Sequence, residues 1–357
     1  MDGAAAARSG FRNDYSEGAH PRVLQALALA SAEQNGGYGL DRHSARAAAL
    51  IRQAAACERA DVHLLVGGTQ LNLTAIGAFL RPHQAVIAAA SGHIATHETG
   101  AIEATGHKVL TIASADGRLT PAQLAPVLAE HGNEHMVQPK LVYVSNPTEL
   151  GTLYRKQELQ ALRGFCREHG LWLFLDGARL GSALTADGND LSLADIAALT
   201  DAFYIGGTKN GALLGEALVV VADALKPDLR YLIKQRGALL AKGMVLGAQF
   251  AALFEDGLFF ELAAHANAMA ARLRAGLAAA GARFVSDSPT NQLFVALPPA
   301  AVDALARRYD FERWQVLDDG CVVIRFVTSW ATRADAVDAL CADFAAVSRP
   351  ATAHGTD

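Results

Sequence analysis

The chain is expected to fold as an α/β protein: a large domain on a mainly parallel seven-stranded sheet, followed by a smaller C-terminal α/β domain. Three patterns lead there. Short apolar runs alternate with amphipathic, alanine-rich segments, as strands and helical crossovers do. Most of the runs lack strict in–out alternation, which is what strands covered on both faces look like. After about residue 221 the rhythm changes to two long helical stretches and then a second, shorter α/β alternation.

In chain order, the start MDGAAAARSGFRND has no apolar signal core and reads as a loose tail. Strands are predicted at 62–66, 85–89, 109–112, 141–144, 172–175, 202–205 and 217–221. Between them, 122–130 and 156–169 have helical spacing, the second closed by Gly170 in the way helices often stop. Residues 231–255 and 259–280 read as two long helices, with Gly281 ending the second. Strands at 292–296 and 321–326 around a helix at 299–309, and a last helix at 333–347, complete the smaller lobe. The organisation expected is an N-terminal segment 1–20, a large domain 21–255, a small domain 256–350 and a tail 351–357.

Composition narrows the function classes. With 357 residues and 51% hydrophobic content the chain can bury a sizeable core. A net charge of -5 offers no basic surface for nucleic acid, and the apolar stretches are strand-sized rather than membrane-sized. Four dispersed cysteines, Cys57, Cys166, Cys321 and Cys341, form no CxxC pair, which argues against a zinc site or a disulfide framework and for a reducing, cytoplasmic setting.

The chemistry lies at strand ends, where open α/β sheets bind ligands. Asp176 closes the apolar run LWLFLD and Lys209 follows DAFYIGGT, while His93 lies upstream in SGHIATHETG. An amine that forms an imine, a carboxylate that holds a pyridinium proton and a ring that stacks are together the needs of pyridoxal 5'-phosphate, PLP. Singly, the aspartate reads equally well as a helix cap and the lysine as a solvated side chain. The turn Gly67, Gly68, Thr69, Gln70, Leu71, Asn72 between a strand and a helix suits a phosphate, since glycines admit the anion to helix-start amides. It matches neither the dinucleotide GxGxxG pattern nor the P-loop. His93 and His97 are spaced like zinc ligands, but Ile94 stands where HExxH needs glutamate, so no metal is expected.

Taken together, FRNDYSEGAHP, YGLD, VGGTQLN, GHIATHETGA, LFLDGARLG, GGTKNG and IRFVTSW resemble the low-specificity L-threonine aldolases and related β-eliminating lyases of the aspartate-aminotransferase-like PLP fold, over about residues 11–347. The resemblance implies that Lys209 forms the imine with PLP, Asp176 pairs with the ring nitrogen, His93 stacks on the ring, and Gly68 and Thr69 hold the phosphate. Arg179 and Arg325, with Asn13, would bind the carboxylate of an amino-acid substrate, and a homodimer or homotetramer is implied, with Tyr38 and the Met244 region as cross-subunit candidates. The implied reaction cleaves a β-hydroxy-α-amino acid such as threonine, allo-threonine or a phenylserine-like compound to glycine and an aldehyde. β-Elimination or transamination on the same imine is the alternative enzymatic reading, and a non-catalytic PLP-binding protein the alternative from another class. Three positions depart from the family pattern: Asn13 replaces a serine, Thr148 a histidine and Met244 an arginine. His20 and His97 are candidate proton acceptors because histidine titrates near neutrality.

Overall fold

A computed structural model of the chain describes residues 9–348; residues 1–8 of the expected N-terminal tail and the tail 351–357 lie outside the described residues. After a two-residue strand β1 (Ser9–Gly10), seven strands build the main sheet: β2 (Asp61–Leu65), β3 (Gln84–Ala89), β4 (Val109–Ile112), β5 (Gln138–Ser145), β6 (Trp172–Asp176), β7 (Ala202–Gly206) and β8 (Glu216–Val220). Their order is β2-β8-β7-β6-β5-β3-β4. From β7 to β4 every pairing is parallel, whereas β8 runs antiparallel to both β7 and β2. The reversal follows from the connection 207–215, which is too short for the crossover of a dozen or more residues that a parallel return needs. The protein thus has the mixed α/β architecture expected, with a mostly parallel central sheet.

The strands carry apolar side chains on both faces because helices cover both. Leu173 and Leu175 of β6 enter a core beneath Leu159, Leu162 and Ile196, while Phe174 enters the opposite core with Tyr143, Tyr204 and Phe79. A third core, around Leu273, Leu277, Ile324 and Phe344, lies in the C-terminal part. There β9 (Arg283–Phe284), β10 (Gln292–Leu297), β12 (Glu312–Val316) and β13 (Val322–Val327) form an antiparallel sheet in the order β12-β13-β10-β9, and β11 (Tyr309–Asp310) pairs with β1. The chain start is therefore stitched to the C-terminal lobe, and Val327 N donates to Phe11 O at 2.8 Å.

Several elements differ from the sequence expectation, first the stretch 9–14, read as loose tail but paired through β1 and buried at Phe11 and Asp14. The long helix at 231–255 is instead two, Leu229–Gln235 and Met244–Phe254. Gly237, at φ 69°, turns the chain between them in the left-handed region that favours glycine. The strand β12, ERWQV, escaped notice because it is an edge strand rich in polar residues, with only Glu312 and Trp314 half-buried among exposed neighbours.

Where β6 and β7 end, the backbones touch. Gly206 N donates to Gly177 O at 2.9 Å, and a Cβ on Gly177 would lie 1.9 Å from the carbonyl oxygen of Tyr204. The tight crossing fixes the direction in which Asp176 leaves the sheet. Gly177→Ala is expected to cost at least ~1–3 kcal/mol as an overpacked site, measured as a lowered Tm, because the clash is with backbone that no rotamer change relieves.

Candidate active site

At the carboxyl edge of the parallel strands lies a cavity of about 390 Å³. The turn after β2, the helix after β3, the loop after β5 and the ends of β6 and β7 all open into it. Because β8 is reversed, it presents its first residue, Glu216, at the same edge. Lys209, Asp176, His93, Gly68, Thr69 and Arg179 line this one space.

Asp176 is buried, and its carboxylate is held from several sides. Oδ1 accepts from Ala178 N at 2.9 Å, while Oδ2 accepts from the Tyr143 hydroxyl and, at 3.4 Å, from Asn72 Nδ2. Burial and the facing Asp176 charge raise the Tyr143 and Tyr204 phenols well above their ordinary value, so both remain neutral donors. Lys209 is half-buried at the cavity wall. Its amine is shifted below the ordinary lysine value, first by burial and then by the Arg179 charge, against the pull of Asp14, Asp176 and Glu216. Such a lysine gives up its proton readily and becomes nucleophilic.

His93 Nδ1 meets Glu98 Oε1 at 2.7 Å, and the same oxygen accepts from Asn72 Nδ2 at 2.7 Å. The Glu98 side chain is fully buried, so the imidazole is fixed in orientation, with its other nitrogen left for the cavity side. Glu149 accepts from His93 N at 2.9 Å and from the Ser145 hydroxyl at 2.8 Å, and burial together with Asp176 raises its carboxyl above the usual range. At the other end, the helix Gly68–Phe79 begins behind Gly67, whose N-cap position carries no side-chain hydrogen bond. A Cβ on Gly67 would meet nothing within 4 Å, so the first-turn amides are open to an anion, and the Thr69 and Thr208 side chains border the same space.

The two arginines expected at the substrate carboxylate are differently placed. Arg179 lines the cavity, and Asp14 holds its guanidinium through Nε at 2.6 Å and Nη2 at 3.0 Å. Burial raises the Asp14 carboxyl, but the charges of Arg179 and Lys209 outweigh it and hold the group below its ordinary value. Arg325 stands outside the cavity lining: Nη2 pairs with Glu312, Nη1 lies 3.4 Å from Gln292 Oε1, and the guanidinium packs 5.0 Å from the Trp314 ring. Asn13 is also outside it, with Oδ1 accepting from Tyr15 N and the Ser16 hydroxyl in a local turn. The Thr148 hydroxyl bonds Asp116 O and Thr152, so the loop rather than a ligand engages it. His20 caps the helix Pro21–Ser31 away from the cavity, whereas His97 lines it, its ring 5.6 Å from that of His93.

The sequence reading gave no role to Asp14, Tyr143, Glu149 and Glu216, and took Asn72 only as part of the phosphate turn and Glu98 only as a neighbour of the two histidines. Asp14, Asn72 and Glu98 lie inside the motifs quoted above, and their side-chain chemistry was the available signal. Tyr143 and Glu216 left none, since each looks like an ordinary strand residue.

A family model described as beta-eliminating lyase matches residues 11–298. The chain belongs to this family. Among its relatives in the lyase family, the "Low specificity L-threonine aldolase" of Pseudomonas sp. (strain NCIMB 10558) is 33% identical over 341 residues, covering 94% of this chain and 97% of that protein. The protein of the same name from Pseudomonas aeruginosa is 33% identical over 338 residues, covering 93% and 96%. A solved Leishmania major threonine aldolase superposes with a TM-score of 0.94 at 52% identity, covering 96% of this chain and all of that one. A Thermus thermophilus aspartate aminotransferase mutant, with a TM-score of 0.72 at 16% identity, shares the fold. PLP is the cofactor of this family, and the donor set fits it: a nucleophilic amine, a fixed carboxylate, an oriented ring and an open helix start surround one cavity. Among the described residues no helix is long and apolar enough to cross a membrane.

Proposed function

We propose that the protein is a PLP-dependent aldolase that cleaves threonine, allo-threonine or a related β-hydroxy-α-amino acid to glycine and an aldehyde. The observation that carries the reading is the joint placement of Lys209 and Asp176 in a cavity whose other end is an uncapped helix start. The Pseudomonas and Leishmania relatives named as threonine aldolases support it. When bound, PLP supplies an electron sink for the charge left on Cα as the Cα–Cβ bond breaks.

Each residue then has a task. Lys209 would hold the cofactor through its aldehyde, and its amine would take up or return a proton during turnover. Asp176, locked by Tyr143 and Ala178, would hold a proton on the cofactor's ring nitrogen, and His93, braced by Glu98, would offer its imidazole to the ring. Gly68 and Thr69 receive the phosphate. Arg179 keeps Nη1 free of the bonds to Asp14, and that nitrogen is the donor available to a substrate carboxylate. Arg325 joins it only where Glu312 gives way. With Thr148 tied to its loop, His93 and His97 are the rings left to approach the β-hydroxyl.

A homodimer or homotetramer suits the exposed surface formed by Tyr38, Leu40 and Tyr231. A cytoplasmic setting suits the four free cysteines. The deciding assay incubates purified protein and PLP with threonine, allo-threonine, phenylserine and serine. Equimolar glycine and aldehyde are expected from the β-hydroxy substrates; keto acid as the main product would replace the aldolase reading with β-elimination or transamination.

A further inference from the structure

We propose that seating a phosphate in the cradle at Gly68 and Thr69 is coupled to a proton on Glu216, so that this carboxyl is neutral whenever the phosphate is bound. The inference rests on the PLP reading above and adds a proton to it. Glu216 owes its position to the reversed strand β8. In the sheet it lies opposite Leu65 on one side and Gly206 on the other. Leu65 leads into the turn Val66, Gly67, Gly68, Thr69, and Gly206 leads into Gly207, Thr208, Lys209. The carboxyl therefore stands between the phosphate cradle and the lysine, and all three border one cavity.

A carboxylate is a poor neighbour for a phosphate dianion, and among the described residues of the cavity Lys209 is the cation that faces it. Among the described residues lining the cavity, the lysines and arginines are Lys209 and Arg179, and Arg179 already carries Asp14. The ionisable groups that face Glu216 are Lys209, Asp176 and Tyr204. On the far side, Gly215 packs on Leu246 and Phe250 of the helix Met244–Phe254, which holds no ionisable residue. Glu216 is 5% exposed, its Oε2 accepts from Gly207 N at 3.1 Å, and the neighbouring Thr208 hydroxyl accepts from Gly215 N at 3.0 Å. Burial pushes the group up to about 8, against the lowering effect of Lys209 and with a further rise from Asp176. The carboxyl thus changes charge in the range where a small push decides its state, and a dianion pushes it toward the neutral form.

The sign follows directly. Below about pH 8 the carboxyl already carries its proton and phosphate binds without taking one up; above that value binding must draw a proton from solvent, so affinity falls as pH rises. The test uses the full chain freed of PLP, titrated calorimetrically with inorganic phosphate between pH 8 and 9.5 in two buffers of different ionisation enthalpy. Affinity is expected to fall by up to about tenfold per pH unit, with uptake approaching one proton, as linkage to a single group requires. Glu216→Gln keeps an acceptor for Gly207 N and is expected to flatten the pH dependence and abolish the uptake. Lys209→Ala removes the charge that lowers the Glu216 carboxyl, so the uptake should persist but set in at higher pH than in the wild-type chain. Wild-type uptake of zero, or uptake that survives Glu216→Gln and disappears in Lys209→Ala, overturns the inference. In either of those cases PLP binding with its visible colour leaves the functional reading standing, whereas a wild-type chain that fails to bind PLP at all removes both.

Discussion

Lys209→Ala is expected to lower turnover of β-hydroxy amino acids by on the order of 10³-fold or more, the scale of losing a positioned acid–base group, with loss of the covalent tether in addition. The reason lies in the amine's surroundings. Burial and Arg179 shift it toward the neutral, nucleophilic form, against the opposite pull of Asp14, Asp176 and Glu216, and it lines the cavity. Alanine removes the amine and leaves Asp176, His93, Gly68 and Thr69 in place around the cavity. The variant should therefore still take up PLP, though more weakly. Borohydride treatment followed by mass spectrometry gives a second reading: the wild-type chain should gain the reduced cofactor at residue 209 and the variant should not. Unimpaired turnover, or wild-type labelling at another lysine, would sink the assignment.

Asp176→Asn is expected to reduce kcat by about 10²–10⁴-fold, again the range of acid–base contributions, while changing side-chain volume very little. An amide can still accept from Ala178 N, but it carries no charge with which to hold a proton on the cofactor's ring nitrogen. The tyrosines sharpen the effect. Tyr143 donates to Oδ2 and Ala178 N to Oδ1, so asparagine, with one oxygen, can accept from Ala178 N only by turning its NH2 toward the Tyr143 hydroxyl. A kcat within a few-fold of wild type, with normal PLP content, would show that the ring nitrogen has another partner. A Tm measured in parallel separates a chemical loss from a folding defect.

How much of this was legible before folding depends on where each signal sits in the chain. Asp176, Lys209, Gly68 and Thr69 each follow a strand, and the rule that ligands gather at the carboxyl edge of a parallel sheet brings them together without coordinates. Arg325 is the instructive contrast. Its residue type and motif point to a carboxylate, and its guanidinium meets one, but that carboxylate belongs to Glu312, directly opposite on the neighbouring antiparallel strand. A register between strands is not written in either strand alone. The same holds for the helical stretch at 231–255, where periodicity ran on through Gly237 although the backbone turns there.

By itself, then, the sequence determined the α/β class, the strand-end motifs and the cofactor chemistry they imply, because apolar periodicity and the residues that follow each strand are local properties. Only the tertiary structure decided which polar groups face one another: Asp14 on Arg179, Glu98 on His93, Glu312 on Arg325, and Glu216 in one cavity with Gly68, Thr69 and Lys209. Those partners come from strands and loops far apart in the chain, and burial makes each pairing count, since a buried charge without a partner is far costlier than one in water.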